Sequence, residues 1–226
     1  MIREFILQQE ITRLCHFTRI NKLLHIMTDS SGIVANNFIV SSGQNELLNK
    51  NDNYRYDGKE DYISCSIQYP NSWYLNRVIN TDPLFKNWAI LLIDPFIMEE
   101  EDTLFCFTNA AYNRGAHLKK GYNGLKELFH PSVTGKRTWR RSQYMLNNCP
   151  TDGQAEVMIH RNIPQSRIKG IIFRTYKQAE DALIMLNMLN VSVNIPIYIA
   201  PDLFLNNWSN LIRMGQVPKE ILYREE

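Results

Sequence analysis

Three short stretches of this chain set reactive side chains at the spacing of a β-strand or in a turn. In Cys15-His16-Phe17-Thr18 an imidazole and a hydroxyl stand two residues apart, so a strand would project both from one face toward a common ligand. In Gln154-Ala155-Glu156 an amide and a carboxylate share a face at the mouth of the apolar run Val157-Met158-Ile159. Strands disfavour Glu, and burying its charge without a partner is costly. The carboxylate is therefore either a plain edge residue or one held there for chemistry. The third stretch, Asn53-Tyr54-Arg55-Tyr56-Asp57-Gly58, flanks an arginine with two tyrosines ahead of the turn dipeptide Asp-Gly. A guanidinium fork suits phosphate or carboxylate, although the residues by themselves read first as a turn.

Charge is unevenly spread around these stretches. Residues 114–149 hold eight Lys or Arg against a single acid, Glu127, so the rest of the chain is net acidic beneath an overall formal charge of +2. Lys119, Lys120, Lys126, Lys136, Arg137, Arg140 and Arg141 alternate with Tyr122, Phe129, Trp139 and Tyr144. Cationic side chains neutralise phosphates and aromatic faces stack unpaired bases, which points to single-stranded nucleic acid. The competing reading is a solvated loop whose aromatics anchor it to the core. The chain has no Gly-x-Gly-x-x-Gly, no Walker phosphate loop, no His-Glu-x-x-His and no Cys-x-x-Cys pair. Rossmann dehydrogenases, P-loop NTPases, zinc proteases and zinc deaminases lose support accordingly.

The elements that must position these residues are short and mixed. A strand through Leu14, His16 and Thr18 leads into a helix marked by Ile20, Leu23, Leu24 and Met27, which stops at Asp29-Ser30-Ser31-Gly32. Residues 38–40 read as a strand and 41–58 as an exposed polar loop. Residues 62–67 form a strand, and Pro70-Asn71-Ser72 offers a turn and cap for a helix through Trp73, Tyr74 and Val78. The unbroken apolar run 88–93 predicts a strand buried on both faces. A short strand over 104–107 and a turn at Thr108-Asn109-Ala110-Ala111 come next, before regularity falls away in the basic segment. Strands at 155–159 and 168–173 follow, then a helix over 178–189 with Ala182, Leu183, Leu186 and Leu189 on one face, a strand at 195–199 and a polar, partly helical tail. Without regular βαβ alternation, the class is α+β.

With 226 residues and 44% hydrophobic content, the chain reads as one domain over 1–226, carrying its basic insert at about 114–150. Cys15, Cys65, Cys106 and Cys149 are far apart and lack metal-ligand spacing, so reduced, buried thiols are expected. Arg3, Glu4, Glu10 and Arg13 break up the first apolar residues, and no run reaches the ~18 residues of a membrane span. The expectation is a cytoplasmic protein with no signal peptide and no membrane contact.

Taken in chain order, the His-x-Thr strand, Arg55 in its polar loop, the turn Phe107-Thr108-Asn109-Ala110-Ala111, the basic segment and the Gln-x-Glu strand resemble one family. It is the DarT family, the DNA ADP-ribosyltransferase toxins of bacterial toxin-antitoxin pairs, and the resemblance runs from Ile11 to Ile199. It implies the ADP-ribosyltransferase fold, two small facing β-sheets with an NAD cleft between them and flanking helices. It also implies NAD as co-substrate and no metal. His16, Phe17 and Thr18 match the family's first NAD-binding strand, with Phe17 turned to the core. Arg55 matches an essential arginine. Because a guanidinium is a poor base, its expected work is binding NAD phosphate and stabilising charge before abstracting a proton. Glu156 matches the catalytic glutamate, which would stabilise the positive charge that builds on the ribose as the nicotinamide bond breaks.

By the same resemblance Gln154 would orient the acceptor base, since an amide both donates to and accepts from a base edge. Arg137, Trp139, Arg140, Arg141 and Tyr144 would form the substrate loop on single-stranded DNA. Tyr62-Ile63-Ser64-Cys65-Ser66 followed by Tyr69-Pro70-Asn71 looks more like the guanine-directed members than the thymine-directed ones. The implied partner is a macrodomain-type antitoxin that reverses the modification, and the implied state is a monomer. Other functions stay open on the residues alone. They are an ADP-ribosyltransferase acting on RNA or protein, a catalytically silent nucleic-acid-binding module with Glu156 at a strand edge, and an NAD glycohydrolase, which would not need the basic insert.

Overall fold

The apolar run 88–93 is the strand about which the molecule is built, and the chain reaches it through a series of short elements. The structure, a computed structural model, describes residues 1–41, 56–81 and 85–223. In chain order the elements are α1 (Ile2–Gln8), β1 (Leu14–Arg19), α2 (Leu23–Thr28), β2 (Ile33–Val34), α3 (Asn36–Ser41), β3 (Tyr62–Ile67), α4 (Ser72–Thr81), β4 (Trp88–Ile93), β5 (Leu104–Cys106), β6 (Lys119–Lys120) and α5 (Gly121–Glu127). They continue with β7 (Ser132–Thr134), β8 (Thr138–Arg140), β9 (Glu156–His160), β10 (Asn162–Ile163), β11 (Ile168–Phe173), α6 (Tyr176–Met188), β12 (Ile197–Ile199), α7 (Trp208–Arg213) and β13 (Ile221–Leu222).

Among the described residues, nine strands join in the order β13-β12-β11-β4-β1-β3-β9-β5-β6. Every residue of β4 is buried. Ala89, Leu91 and Ile93 point into one core with β9, α2 and α6, while Trp88, Ile90 and Leu92 point into a second with Leu75 and Ile79 of α4 and with Leu203 and Phe204. Cover on both faces explains why the sequence shows a continuous apolar run there instead of an alternation. Truncating a residue such as Leu91 to alanine would cost roughly 2–5 kcal/mol.

The joint between β1 and β3 is narrow. Those two strands pair only through Leu14↔Ile67 and Cys15↔Ser66. Beyond that corner β1 continues along β4, as far as Arg19↔Trp88, and β3 continues along β9, from Cys65↔Val157 to Tyr62↔His160. The sheet is thus two half-sheets hinged at one corner, β13-β12-β11-β4-β1 and β3-β9-β5-β6, and they part at His16. This agrees with the α+β class read from the sequence and with the two-sheet arrangement that the family resemblance implies.

Several local expectations change. Residues 38–40 lie in α3, where the carbonyl of Ala35 accepts from the N–H groups of Phe38 and Ile39. A three-residue apolar run is too short to display a period that separates strand from helix. α6 begins two residues early, because the Thr175 hydroxyl accepts from the N–H of Gln178. It buries Ala179, Ala182 and Leu186, while Leu189 is exposed.

The basic segment is not an irregular loop. β6 pairs with β5, α5 packs beneath α1, and β7 and β8 form a hairpin. Phe5 of α1 meets Tyr122 and Phe129 edge-on at centroid distances of 5.9 and 5.3 Å, so those two aromatics anchor the segment to the core.

All four cysteines are buried, free thiols, and burial pushes Cys15, Cys106 and Cys149 up to about 12 and Cys65 higher still. Among the described residues no group of His, Cys, Asp and Glu is placed to hold a metal, and no helix is long and apolar enough to cross a membrane.

Candidate active site

Glu156 opens β9, and its partner across the ladder is Cys106, the last residue of β5. Immediately after Cys106 the chain turns through Thr108-Asn109-Ala110-Ala111, and that turn grips the carboxylate. Oε1 of Glu156 accepts from Nδ2 of Asn109 at 2.8 Å and from the backbone N–H of Ala110 at 2.9 Å. Asn109 is itself oriented, because its Oδ1 accepts from the N–H of Ala111 at 3.1 Å. With the oxygen engaged there, the amide nitrogen must face Glu156. The half-buried carboxylate is therefore held in one direction by two donors on a rigid turn.

The strand before Glu156 is prepared by a second carboxylate. Asp152 is 2% exposed. Its Oδ1 accepts from the N–H of Gln154 at 3.0 Å and its Oδ2 from the Thr108 hydroxyl at 2.7 Å. Burial pushes the Asp152 carboxyl above the usual range, and the Gln154 N–H, the Thr108 hydroxyl and the positive charge of Arg213 pull it back. The Gln154 side chain makes no hydrogen bond among the described residues and is half-buried.

One strand away from β9, across β3, His16 lies where the half-sheets part. Its Nδ1 donates to the Ser64 carbonyl at 2.9 Å, which in the neutral ring places the lone pair on Nε2. Phe17 faces the second core, 6.0 Å from both Tyr74 and Trp88, as its core-facing assignment requires. Thr18 is only 3% exposed, so the pairing of His16 and Thr18 toward one open ligand is not what the fold presents. Arg55 lies outside the described residues.

Several cations of the basic segment are committed to partners within the fold, Lys119 and Lys120 while still exposed. Lys119 pairs with Glu127 at 2.8 Å and Lys120 with Asp102 at 2.6 Å. Arg141, expected on DNA, turns inward instead. Its guanidinium donates to the carbonyls of Cys149 at 2.6 Å and Leu146 at 2.8 Å and to the Thr151 hydroxyl at 3.4 Å. Trp139, also expected on DNA, packs against the main core and carries the Arg213 guanidinium 4.6 Å from its ring centroid, so its stacking face is taken.

Lys136, Arg137 and Arg140 stay exposed on the β7–β8 hairpin, and Tyr144 is 67% exposed beyond it. The hairpin tip touches the site. A Cβ on Gly135 would fall 2.5 Å from the Thr108 hydroxyl, so only glycine permits this approach.

A prediction separates the two kinds of arginine. Arg141→Ala removes an internal fork worth roughly 2–3 kcal/mol. The melting temperature should fall by about 5–10 °C, with the salt dependence of DNA binding unchanged. Melting curves and salt titrations of the variant check both halves.

Asn109, Asp152 and Arg213 were not singled out as site residues from the sequence. Asn109 lay inside a turn already noted, and Asp152 sits in a Thr-Asp-Gly turn two residues before Gln154. Nothing local marks Arg213, whose Nη1 donates to the Thr151 carbonyl and Nη2 to the Arg140 carbonyl at 2.8 Å, tying α7 to both the hairpin and the Asp152 loop.

A family model described as DarT, ssDNA thymidine ADP-ribosyltransferase, matches residues 15–205. Of the curated proteins searched, none matches. Among solved structures the chain is similar to Thermosipho africanus DarTG in complex with ADP-ribose, with 16% identity over 85% of this chain and 51% of that one and a TM-score of 0.59. Thermus sp. 2.9 DarT in complex with NAD+ matches at 13% identity over 86% of this chain and 98% of that one, TM-score 0.60. The same protein in complex with ADP-ribosylated ssDNA matches at 14% identity, 86% and 97%, TM-score 0.57. The chain spans about half the length of the DarTG structure and nearly all of the Thermus DarT. At these identities the likeness establishes the fold, and the matched range includes His16, Arg55, Gln154 and Glu156.

Proposed function

The chain belongs to the DarT family of single-stranded DNA ADP-ribosyltransferases, and on that footing we propose that it transfers ADP-ribose from NAD to a base of single-stranded DNA, with Glu156 as the catalytic carboxylate. The observation that carries the reading is the grip of Asn109 and Ala110 on Glu156 beside the hairpin that presents Lys136, Arg137 and Arg140.

In the transfer, the bond between ribose C1′ and the nicotinamide nitrogen breaks and its electron pair leaves with nicotinamide. A nucleophilic atom of the base supplies the new pair to C1′, and the base loses a proton. Positive charge peaks on the ribose between these events. A carboxylate hydrogen-bonded to the ribose 2′-hydroxyl stabilises that charge most when it is already oriented, as the two donors on Oε1 arrange.

His16, with its tautomer fixed by the Ser64 carbonyl, would form the NAD side of the cleft in this proposal, the half-buried Phe17 and the buried Thr18 holding its strand in place, and Arg55 would meet the pyrophosphate. Gln154 would read the acceptor base, while Lys136, Arg137, Arg140 and Tyr144 would hold the strand around it. A macrodomain-type antitoxin that removes the ADP-ribose completes the proposed system, with the enzyme acting as a cytoplasmic monomer.

The acceptor is the finer question. The guanine reading rests on residues 62–66 and 69–71, whereas the family description names thymidine. In the fold Tyr62, Ile63 and Cys65 are core residues, and Asn71 caps α4 by accepting from the N–H of Tyr74. Structural duties thus account for much of that pattern.

Incubating the protein with NAD and oligonucleotides of varied sequence should add one ADP-ribose mass to a single-stranded DNA, and tandem mass spectrometry then assigns the base. Guanine modification retains the guanine reading and thymine modification replaces it. NAD consumption without any change of oligonucleotide mass would instead support a glycohydrolase. Intact NAD together with unmodified DNA would support a silent binding module.

A further inference from the structure

We propose that Asp152 is a positioning residue for the transfer, acting through Thr108 to hold the turn that grips Glu156. The inference rests on the catalytic reading of Glu156 above.

The ladder between β5 and β9 ends at Cys106↔Glu156. Past that pair the two chains separate, one into the Thr108–Ala111 turn and the other, running backward, into Ala155, Gln154 and Asp152. No backbone pairing continues between them. The Asp152–Thr108 hydrogen bond at 2.7 Å closes the gap, joining residues 44 positions apart. One carboxylate therefore serves both sides of the site. Oδ2 fixes the turn bearing Asn109 and Ala110, and Oδ1 fixes the backbone of Gln154. The Asp152 carbonyl also accepts from the N–H of Ala155 at 3.0 Å, which sets the lead-in to β9.

An Asp accepting from the N–H two residues on is ordinary turn chemistry. The bond to Thr108 is not, since it crosses to the turn that follows β5 and both its partners are buried, Asp152 at 2% and Thr108 at 4% exposure. Gly135 packs closely on the Thr108 side chain, so the basic hairpin tip rests on the same residue.

The test compares Asp152→Ala, Asp152→Asn, Thr108→Val and the double variant Asp152→Ala/Thr108→Val with wild type, by single-turnover transfer and by crystal structures. Asp152→Ala and Thr108→Val should each lower kcat by about tenfold or more, with KM for NAD and for DNA within about threefold of wild type. The double variant should be no slower than Asp152→Ala, because both changes remove one coupling. Asp152→Asn can still accept from Gln154 and hydrogen-bond the Thr108 hydroxyl, so its kcat should stay within about threefold.

A structural readout stands apart from activity. In Asp152→Ala the Asn109–Glu156 contact should open beyond hydrogen-bond length. The proposal is overturned if that contact is unchanged, if Asp152→Ala keeps a near wild-type kcat, if the two single effects simply multiply, or if the Asn variant is as impaired as the Ala variant. A wild-type protein that modifies no oligonucleotide would refute the proposed function itself, while the crystal structures still decide the hold of Asp152 on the turn. Thr108→Val, which keeps the side-chain shape, preserves the test if Asp152→Ala fails to fold.

Discussion

Replacing Glu156 with glutamine is expected to slow ADP-ribose transfer by at least about a hundredfold, which is about 3 kcal/mol of transition-state stabilisation. The variant isolates charge from shape. Glutamine is close in size and keeps an oxygen that can accept from Asn109 and Ala110, so the Thr108–Ala111 turn should hold its place and the melting temperature should change little. What disappears, on the proposed function, is the negative charge that Glu156 would set opposite the ribose as the nicotinamide bond breaks. Because the loss falls on an interaction realised mainly in the transition state, kcat should drop while KM for NAD and affinity for DNA stay near wild type. Single-turnover mass spectrometry of a modified oligonucleotide measures the rate directly. A Glu156→Gln rate within about tenfold of wild type would remove Glu156 from the catalytic role.

The second large effect is on DNA binding. Lys136, Arg137 and Arg140 are the exposed cations of the hairpin whose tip rests on Thr108. Replacing all three with alanine should remove up to three phosphate contacts. For a single strand each contact contributes about 0.7 to the slope of log K against log salt, so the slope should shrink by about 2. At low salt the Kd should rise by tens-fold to about a hundredfold. Fluorescence anisotropy at several salt concentrations reads both quantities. An unchanged slope would place the DNA path elsewhere. The contrast with Arg141→Ala sharpens the test, because that variant should lose stability and keep its slope.

Asp152 adds a pH signature. Its carboxyl is raised by burial, so between the ordinary carboxylate range and its folded value the native state holds more protons than the unfolded chain. Stability contributed there is present at low pH and declines as pH rises through the folded value. Asp152→Asn, which carries no titrating group, should therefore gain melting temperature relative to wild type as pH is raised toward neutrality. Arg213 is the charged neighbour that limits the effect. A difference that shrinks with rising pH would contradict the sign.

Much of the architecture was legible because it is written in local pattern. The run 88–93 declares a strand buried on both faces, and the strands 62–67 and 168–173 and the cap at Asn71 follow from residue type and neighbours alone. The charge of residues 114–149 is also a local fact. What that charge does is not. Lys119, Lys120 and Arg141 are drawn into partners that only the folded chain supplies, and the two- and three-residue strands β6, β7 and β8 are too short to show any period.

The same division runs through the site. Residue types drew attention to Glu156 and Gln154, because a carboxylate at the head of an apolar strand is unusual, and the family resemblance gave them their expected roles. The sequence by itself also determined the α+β class, the central strand and the cationic segment. Tertiary structure alone decided that Asn109 orients Glu156 across 47 positions, that Asp152 reaches Thr108 across 44, and that Arg213 reaches back 62 to Thr151. The physical reason is one of range. Periodicity records which face of an element is apolar, whereas a hydrogen bond between distant loops leaves no trace in the residues beside either partner until the chain has closed.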